Sequence, residues 1–407
     1  MTVIYLYMQL PDSLEVTTIG RLNVVNDIGE FVYSPSHVKA GGWVPDAYSY
    51  PLRSQPYTSI TKNRGIPGFI RDAAPDGWGE RLIAREHGEQ NNAIGFLLKS
   101  PNHDRAGNLM AGAGRQPAAG IGQAGVGKIT QLDAFIQFAD GVQGGFPHDT
   151  DKATKATLQQ RSSLGGARPK CTLIDENRLL LAKPRDRHDA YDIPALEFAC
   201  MTFAAKKGMN VATVQLHRGR VNTLLIDRFD RVPADNGQFY RVPMLSGLTL
   251  LDSDWNNPRS WTQEWHYGLL ADEMMRRGVP ERDRHELFKR ICFNILVGND
   301  DDHPKNVAVL YVKGKWRLAP MYDVVPTTEG AAPSSLAMGI GSFGRALSRR
   351  NLLSQVDHYG LSQAQAVAII DEVAAWAPEL DTHYHQHLQP AELELALSAM
   401  GADKLLD

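Results

Sequence analysis

Cysteine is scarce, with three in 407 residues, at Cys171, Cys200 and Cys292, an odd number and widely spaced. That count excludes a disulfide-stapled secreted scaffold, and the placing of two of them in apolar runs reads as reduced core thiols. Long apolar runs are missing too, since none approaches the roughly 18 residues that a membrane helix requires. The amino terminus, MTVIYLYMQLPDS, has neither a basic stretch nor an apolar run closed by small residues. No secretory leader is expected, and the chain reads as soluble and cytoplasmic, with no membrane partner. Charge of one sign is also lacking. Lys and Arg number 43 against 46 Asp and Glu, a net −3, which makes no overall field for nucleic acid. Arg345, Arg349 and Arg350 form a local patch that reads as a solvated face. No repeat with a period of roughly 20 to 50 residues is visible.

What is present is ordinary globular material: 43% hydrophobic and 22% charged, long enough for two or three domains. Short strands are expected at Val3–Met8, Thr17–Val25 and Glu30–Tyr33, with a turn at Asn26–Gly29. Ala74–Gln90 reads as a helix with Asp76 as its candidate cap. A glycine-rich stretch follows, and its GQAGVGK at 122–128 nearly matches a phosphate-cradling loop. The next residue is Ile129, however, so no hydroxyl is placed for a magnesium ion, and Gln116–Ile121 is no strand. This stretch reads as a loop leading into a helix at Thr130–Gln143.

A better candidate is the small-residue loop Ser162–Lys170, SSLGGARPK, which opens a hairpin of Cys171–Ile174 and Leu179–Lys183. Backbone N–H groups of such a loop can approach phosphates, and Lys183 supplies a point charge for them. A helix at Pro194–Lys207, closed by Gly208, carries Glu197 beside its apolar stripe. Strands at Ala212–His217 and Val221–Phe229 complete a strand, strand, helix, strand, strand order, that of a nucleotide-covering small lobe.

Beyond Pro243 the pattern turns helical. Ser260-Trp261-Thr262-Gln263 reads as a capping box for a helix ending before Gly278. Glu281–Val297 is amphipathic, with Leu287, Phe288, Ile291, Cys292, Ile295 and Leu296 on one face. Further helices fit Ser362–Trp376 and Pro390 to about Met400. His383, His385 and His387 alternate without an obvious partner ligand and read as a surface segment.

The helix at Glu281–Val297 delivers the polar knot NDDDHPKN, Asn299 to Asn306, and a hairpin around Lys313-Gly314-Lys315 then leads to Tyr322-Asp323. Asp301 and Asn306 stand five apart, the spacing of catalytic aspartate and magnesium-binding asparagine in the protein-kinase loop H-R-D-x-x-x-x-N. One tight loop then presents a carboxylate to take the attacking hydroxyl's proton and an amide oxygen to a metal ion. Lys305 can neutralise the moving phosphoryl group, and Asp323 returns a second carboxylate to the same metals. Asn299-Asp300 replaces His-Arg and Val324-Val325 replaces Phe-Gly, so an ordinary eukaryotic kinase is not indicated. The plainer reading is an acidic turn at a helix C-terminus, where three adjacent carboxylates repel one another and oppose the helix dipole. A third reading makes Asp301, His303 and Asp323 ligands of a hydrolytic metal.

The segments NDDDHPKN, MYDVVP, SSLGGARPK, LLLAKP, ALEFACMTFAAKKG and LLIDRFDR, with AAPDGWGERLIARE and AGNLMAG upstream, resemble the HipA family of bacterial serine/threonine kinase toxins, in the family's order. The resemblance implies an α+β, protein-kinase-like two-lobe fold. An N-terminal β-rich domain (1–128) would precede a small lobe with the phosphate loop (129–245) and an all-helical catalytic lobe (246–407). It implies ATP and magnesium as cofactors. Asp301 would be the general base, Asn306 and Asp323 the magnesium ligands, Lys183 the phosphate contact, and Ser163, Leu164, Gly165, Gly166 and Ala167 the phosphate loop. Asp227 to Phe229 would lie beside adenine, and His303 matches the family's histidine in the catalytic loop. Glu197 as the partner of Lys183 follows from kinase logic.

Ser163 aligns with the serine that the family autophosphorylates, and a phosphate there adds roughly −1.5 to −2 charge where ATP phosphates belong. Gly165 stands where some relatives carry a second serine, and Arg168 where glutamine is more usual. The family also implies a helix-turn-helix, HipB-like antitoxin partner, contact with DNA mainly through it, and a protein substrate such as an aminoacyl-tRNA synthetase. A small-molecule kinase and a non-catalytic partner of a DNA-binding antitoxin are the alternatives.

Overall fold

Burial alternates from Val3 to Leu6 and is continuous from there to the end of Val3–Gln9 (β1), which starts the first sheet with Ile4, Leu6 and Met8 in the core. β1 pairs antiparallel with Val16–Val25 (β2), which turns into Ile28–Tyr33 (β3) through Asn26 and Asp27. Both turn residues have left-handed φ values, 50° and 60°, as a two-residue hairpin matched to strand twist needs. Tyr57–Ile60 (β4) and Leu109–Gly112 (β5) complete the order β4-β3-β2-β1-β5. The computed structural model describes residues 3–90, 92–122, 125–144 and 166–407.

The second sheet, in the order β6-β7-β8-β10-β9, is made of Gly127–Lys128 (β6), Cys171–Asp175 (β7), Arg178–Pro184 (β8), Val214–Arg218 (β9) and Asn222–Asp227 (β10). The Leu132–Gln143 helix covers it with Leu132, Phe135 and Ile136. Trp78 and Leu82 of the Gly77–His87 helix enter the same cluster, so the N-terminal part of the chain shares a core with this sheet. The Ile193–Lys206 helix, capped by Asp192 onto Ala195 N (3.1 Å), is buried nearly all round.

The Glu281–Val297 helix has the expected bounds and ends at Gly298. Gly298 has φ +73°, and a Cβ there would stand 2.1 Å from Ala399 O, so only glycine fits. Met244–Ser246 (β13), Ala308–Val312 (β14) and Lys315–Leu318 (β15) form a three-stranded sheet. The lobe is therefore helical apart from that sheet, and not all-helical. A two-stranded ribbon, Arg231–Pro233 (β11) with Phe239–Arg241 (β12), links it to the second sheet.

Three local expectations are corrected. Ser260 starts no helix. Asn257 caps the Pro258–Gln263 helix onto Arg259 N (3.1 Å), with Pro258 fixing its first turn, and the next helix, Tyr267–Arg276, opens at His266, whose ring accepts from Gly268 N (3.0 Å). His383 is no surface residue. Its helix, Ala377–His387, lies on Ile193–Lys206, and its ring stands 3.1 Å from Thr202 Oγ1. Asp76 occupies the N-cap position of Gly77–His87 but makes no capping bond. The three cysteines are buried, and no helix among the described residues is long and apolar enough to cross a membrane.

Candidate active site

Lys183 sits on β8 opposite Leu224 of β10. Its ammonium lies 2.8 and 3.1 Å from the two Glu197 oxygens and 2.7 Å from Asp323 Oδ1. Glu197 is buried on the Ile193–Lys206 helix, while the Asp323 side chain remains 44% exposed towards the cleft. Asp323 is positioned by a crossing of the chain: Met321 N donates to Asn210 O (2.8 Å) and Ala212 N to Met321 O (3.0 Å). Its backbone is left-handed (φ 61°), the kind of strained non-glycine conformation that persists where its surroundings over-determine it. Removal from water would raise the Asp323 carboxyl, but the Lys183 ammonium, with Lys170 behind it, holds it well below the carboxylate range. Burial likewise opposes charge on Lys183, and the carboxylates of Asp323 and Glu197 outweigh it and keep the proton on.

Across the cleft, the loop after Gly298 rests on a buried polar scaffold. Asn299 Nδ2 donates to Asn294 Oδ1 (3.0 Å), Asn294 Nδ2 to Asp302 Oδ2 (2.8 Å), and the Tyr267 hydroxyl to the same Asp302 carboxylate. Asp302, which had no assigned task in the sequence, thus anchors the loop from beneath. Above it, His303 N donates to Asp301 O (2.8 Å), Asn306 N to His303 O (2.8 Å), and Asn306 Nδ2 to Asp301 O (3.2 Å). This tight turn faces the Asp301 side chain outwards and buries Asn306. Partial burial pushes the Asp301 carboxyl up; His303 opposes the shift, and Asp323 and Asp300 add to it.

The His303 ring lies edge-on to Trp255, centroids 5.0 Å apart, and its Nδ1 is buried without a hydrogen-bond partner among the described residues. Asp301, His303 and Asp323, the alternative set for a hydrolytic metal, make no metal cage, nor does any other group of three His, Cys, Asp or Glu among the described residues. Asn306 and Asp323 would offer an amide and a carboxylate oxygen, donor types that suit magnesium, which keeps waters and takes substrate phosphates as ligands. The residues fit that ion.

Lys305 Nζ is held 2.6 Å from Asp76 Oδ2 and 3.9 Å from the Trp255 ring centroid. The Tyr322 hydroxyl donates to Lys305 O (2.7 Å), and the Tyr322 ring lies 5.5 Å from that of Phe229. Asp227, at the end of β10, pairs loosely with Arg178 (3.4 Å). Ser163, Leu164 and Gly165 lie outside the described residues. Gly166 and Ala167 are described and lie against the N-terminal part of the chain. Gly166 N donates to the Asp76 carboxylate, Trp78 N donates to Gly166 O (2.8 Å), and the Arg81 guanidinium donates to Ala167 O.

Two cleft residues were missed in the sequence. Lys170, pushed down to about 8 by burial and then by Lys183, lies among Asp323, Asp76 and Glu197. It stands inside the SSLGGARPK loop, so a loop lysine facing candidate phosphates was the available signal. Asp76 is the other, and its position before a helix disguised it.

Comparison with known proteins follows the same lines. The sequence model described as "HipA-like C-terminal domain" matches residues 162–380, and that of "HipA N-terminal domain" matches 13–111. A protein named putative kinase Y4mE, from Sinorhizobium fredii, is 25% identical over 338 residues, 77% of this chain and 76% of its own. The serine/threonine-protein kinase toxin HipA of Shewanella oneidensis is 30% identical over 147 residues, 32% of this chain and 33% of its own. Among solved structures, the Shewanella oneidensis HipA, HipB and operator DNA complex contains a chain that superposes with a TM-score of 0.71 at 19% identity, covering 98% of this chain and 96% of that one. The likeness shows a shared α+β, kinase-like fold.

Proposed function

The chain belongs to the HipA family, and on that premise we propose that it is an ATP- and magnesium-dependent serine/threonine protein kinase, the toxin of a toxin–antitoxin pair. The observation that carries this reading is Lys183 held between Glu197 and Asp323, with the exposed Asp301 carboxyl of the neighbouring loop within electrostatic reach of Asp323.

In this reading Lys183 orients the ATP phosphates, with Gly166, Ala167 and the preceding Ser163–Gly165 forming the phosphate loop. Phe229, beside Tyr322, and Asp227 border the adenine. Asn306 and Asp323 would hold magnesium, which when bound neutralises charge on the transferring phosphate. Asp301 accepts the proton of a serine or threonine hydroxyl as its oxygen bonds to the γ-phosphorus. The bond from that phosphorus to the β–γ bridging oxygen breaks, and ADP leaves. The raised Asp301 carboxyl makes it a stronger acceptor for that proton. Lys305 stands close enough to the loop to offset charge on the moving phosphoryl group, and His303, wedged against Trp255, fixes the loop's course.

Family membership supports a helix-turn-helix, HipB-like antitoxin as partner, DNA met through it, a cytoplasmic setting, and a protein substrate such as an aminoacyl-tRNA synthetase. It also supports Ser163 as the autophosphorylated off-switch. Incubation with ATP and magnesium, followed by mass spectrometry, tests the reading. Phosphate on Ser163, and on a protein when lysate is added, is expected from the wild type and not from Asp301→Asn. Undiminished transfer by that variant sinks the assignment of the base, and label on metabolites alone favours a small-molecule kinase.

A further inference from the structure

We propose that Asp76 is a positioning residue, whose carboxylate ties the end of the phosphate loop to the lysine beside the candidate base, so that the N-terminal part of the chain sets the geometry of the cleft. The inference rests on the kinase reading above.

An aspartate directly before a helix normally accepts a hydrogen bond from that helix's first turn. Asp76 does not, although its backbone is extended as a cap's should be (φ −143°, ψ 178°). Its oxygens are turned to other partners. Oδ1 accepts from Gly166 N, and Oδ2 takes Lys305 Nζ at 2.6 Å, with Arg71 at 3.6 Å. The side chain is 15% exposed, so these pairs are little screened by water. Burial would favour the neutral acid, but Lys305 and then Arg71 outweigh it and hold the carboxyl at about 2. The carboxylate is therefore charged under all physiological conditions.

Both groups that Asp76 joins are fixed from a second side. At the loop, Trp78 N holds Gly166 O, and the Arg81 guanidinium holds Ala167 O. The approach is so close that a Cβ on Gly77 would stand 2.5 Å from Gly166 O, and Gly77 itself has φ +42°. At the lysine, the Trp255 ring lies under the ammonium at 3.9 Å. An ammonium has three donors, so Lys305 can keep Asp76 and still donate to a phosphate oxygen. One carboxylate thus correlates a backbone N–H at the phosphate loop with a cation at the catalytic turn. A misplacement of roughly 1 Å in such a pair can cost about a hundredfold in rate.

Asp76→Asn and Asp76→Ala separate the two links in the full-length protein. The asparagine keeps an acceptor for Gly166 but loses the charge that holds Lys305. Phosphate transfer from isotope-labelled ATP onto Ser163 should slow about tenfold or more, with KM for ATP within about twofold. The alanine loses both links, and both rate and KM should suffer. Amide hydrogen exchange without nucleotide gives a second readout. In Asp76→Ala, exchange should quicken at Gly166, Lys305 and Asn306 and stay unchanged in Glu281–Val297. Wild-type rate and KM in Asp76→Asn, or unchanged exchange at both places in Asp76→Ala, overturns the inference. A wild-type protein that transfers no phosphate overturns the kinase reading instead, and the exchange experiment still decides whether Asp76 couples the two segments.

Discussion

Two charged clusters in this molecule use the same side-chain chemistry to opposite ends. In one, Arg228 pairs with Asp104 (3.0 Å) and Asp230 (2.8 Å), and Arg231 with Asp230 (2.7 Å), all four side chains at most 6% exposed. Asp230 is bonded on both oxygens and also accepts from Gly107 N (2.9 Å). In the other, Lys183 and Lys170 meet Glu197 and Asp323, with Asp301 near Asp323, so three carboxylates face two lysines, and two of the three reach water. The first cluster joins residues 104–107 to the strand end at 228–231 and is saturated. The second has negative charge and acceptors to spare. A buried salt bridge alone therefore marks nothing; a surplus of one sign at the mouth of a cleft marks a site.

The sharpest way to break that contrast is to swap the outcomes of one mutation in each cluster. Asp301→Asn should lower phosphate transfer by about 10² to 10⁴ while thermal unfolding stays unchanged, because a half-exposed carboxylate contributes little to the fold. Arg228→Ala should do the reverse. It removes the Arg228 pair from buried Asp104 and leaves Asp230 with Arg231 alone, a loss of about 3–5 kcal/mol in urea unfolding. If Arg228→Ala folds as well as the wild type, or Asp301→Asn unfolds early, the division into scaffold and site is wrong.

Acid sharpens the comparison further. Asp230, opposed by burial but outweighed by Arg228 and Arg231, has a carboxyl held far below its ordinary 3.8, and Asp76 is held at about 2. A depressed carboxyl contributes stability in full above its unfolded value, and the contribution fades as pH falls towards the folded one. For Asp76 the window runs from about pH 4 down to about 2, with about 2 kcal/mol at stake. Asp76→Asn should therefore flatten the unfolding free energy across that window relative to wild type. A parallel pair of curves would mean that Lys305 and Arg71 do not stabilise the charge.

Much of this was legible in the sequence wherever the signal was local. The Glu281–Val297 helix was fixed by its apolar stripe and Gly298, and the five-residue spacing of Asp301 and Asn306 identified a loop that closes on itself. Lys183 and Glu197 were paired by kinase logic and not by any local signal, and the structure brings them to 2.8 Å. The failures share a cause. Asp76 and Lys305 stand 229 positions apart, and any local reading of an aspartate before a helix returns a cap. His383 looks solvent-facing among alternating polar residues until Ala377–His387 is seen lying on another helix. Ser260 has capping-box spacing, yet Asn257-Pro258 starts the turn three residues earlier. Asp302, third of three adjacent acids, gains its task only from Tyr267 and Asn294.

The smallest expected effect lies between the two clusters in kind. Arg178 pairs with Asp175 (2.8 Å) and Asp227 (3.4 Å), but its side chain is 50% exposed and each aspartate 32%. Water screens both pairs, and ordering a long side chain offsets most of the attraction, so Arg178→Ala should cost under about 1 kcal/mol. Asp227 is also proposed to border the adenine, which makes the variant informative beyond stability. Nucleotide affinity measured by calorimetry should move by less than about threefold, since the backbone bond from Asp227 N to Thr213 O (2.9 Å), and not the ion pair, holds the segment in place. A larger loss of affinity, with stability unchanged, would transfer Arg178 and Asp227 from the surface to the cleft and extend the surplus-charge criterion to a pair that geometry alone assigns to solvent.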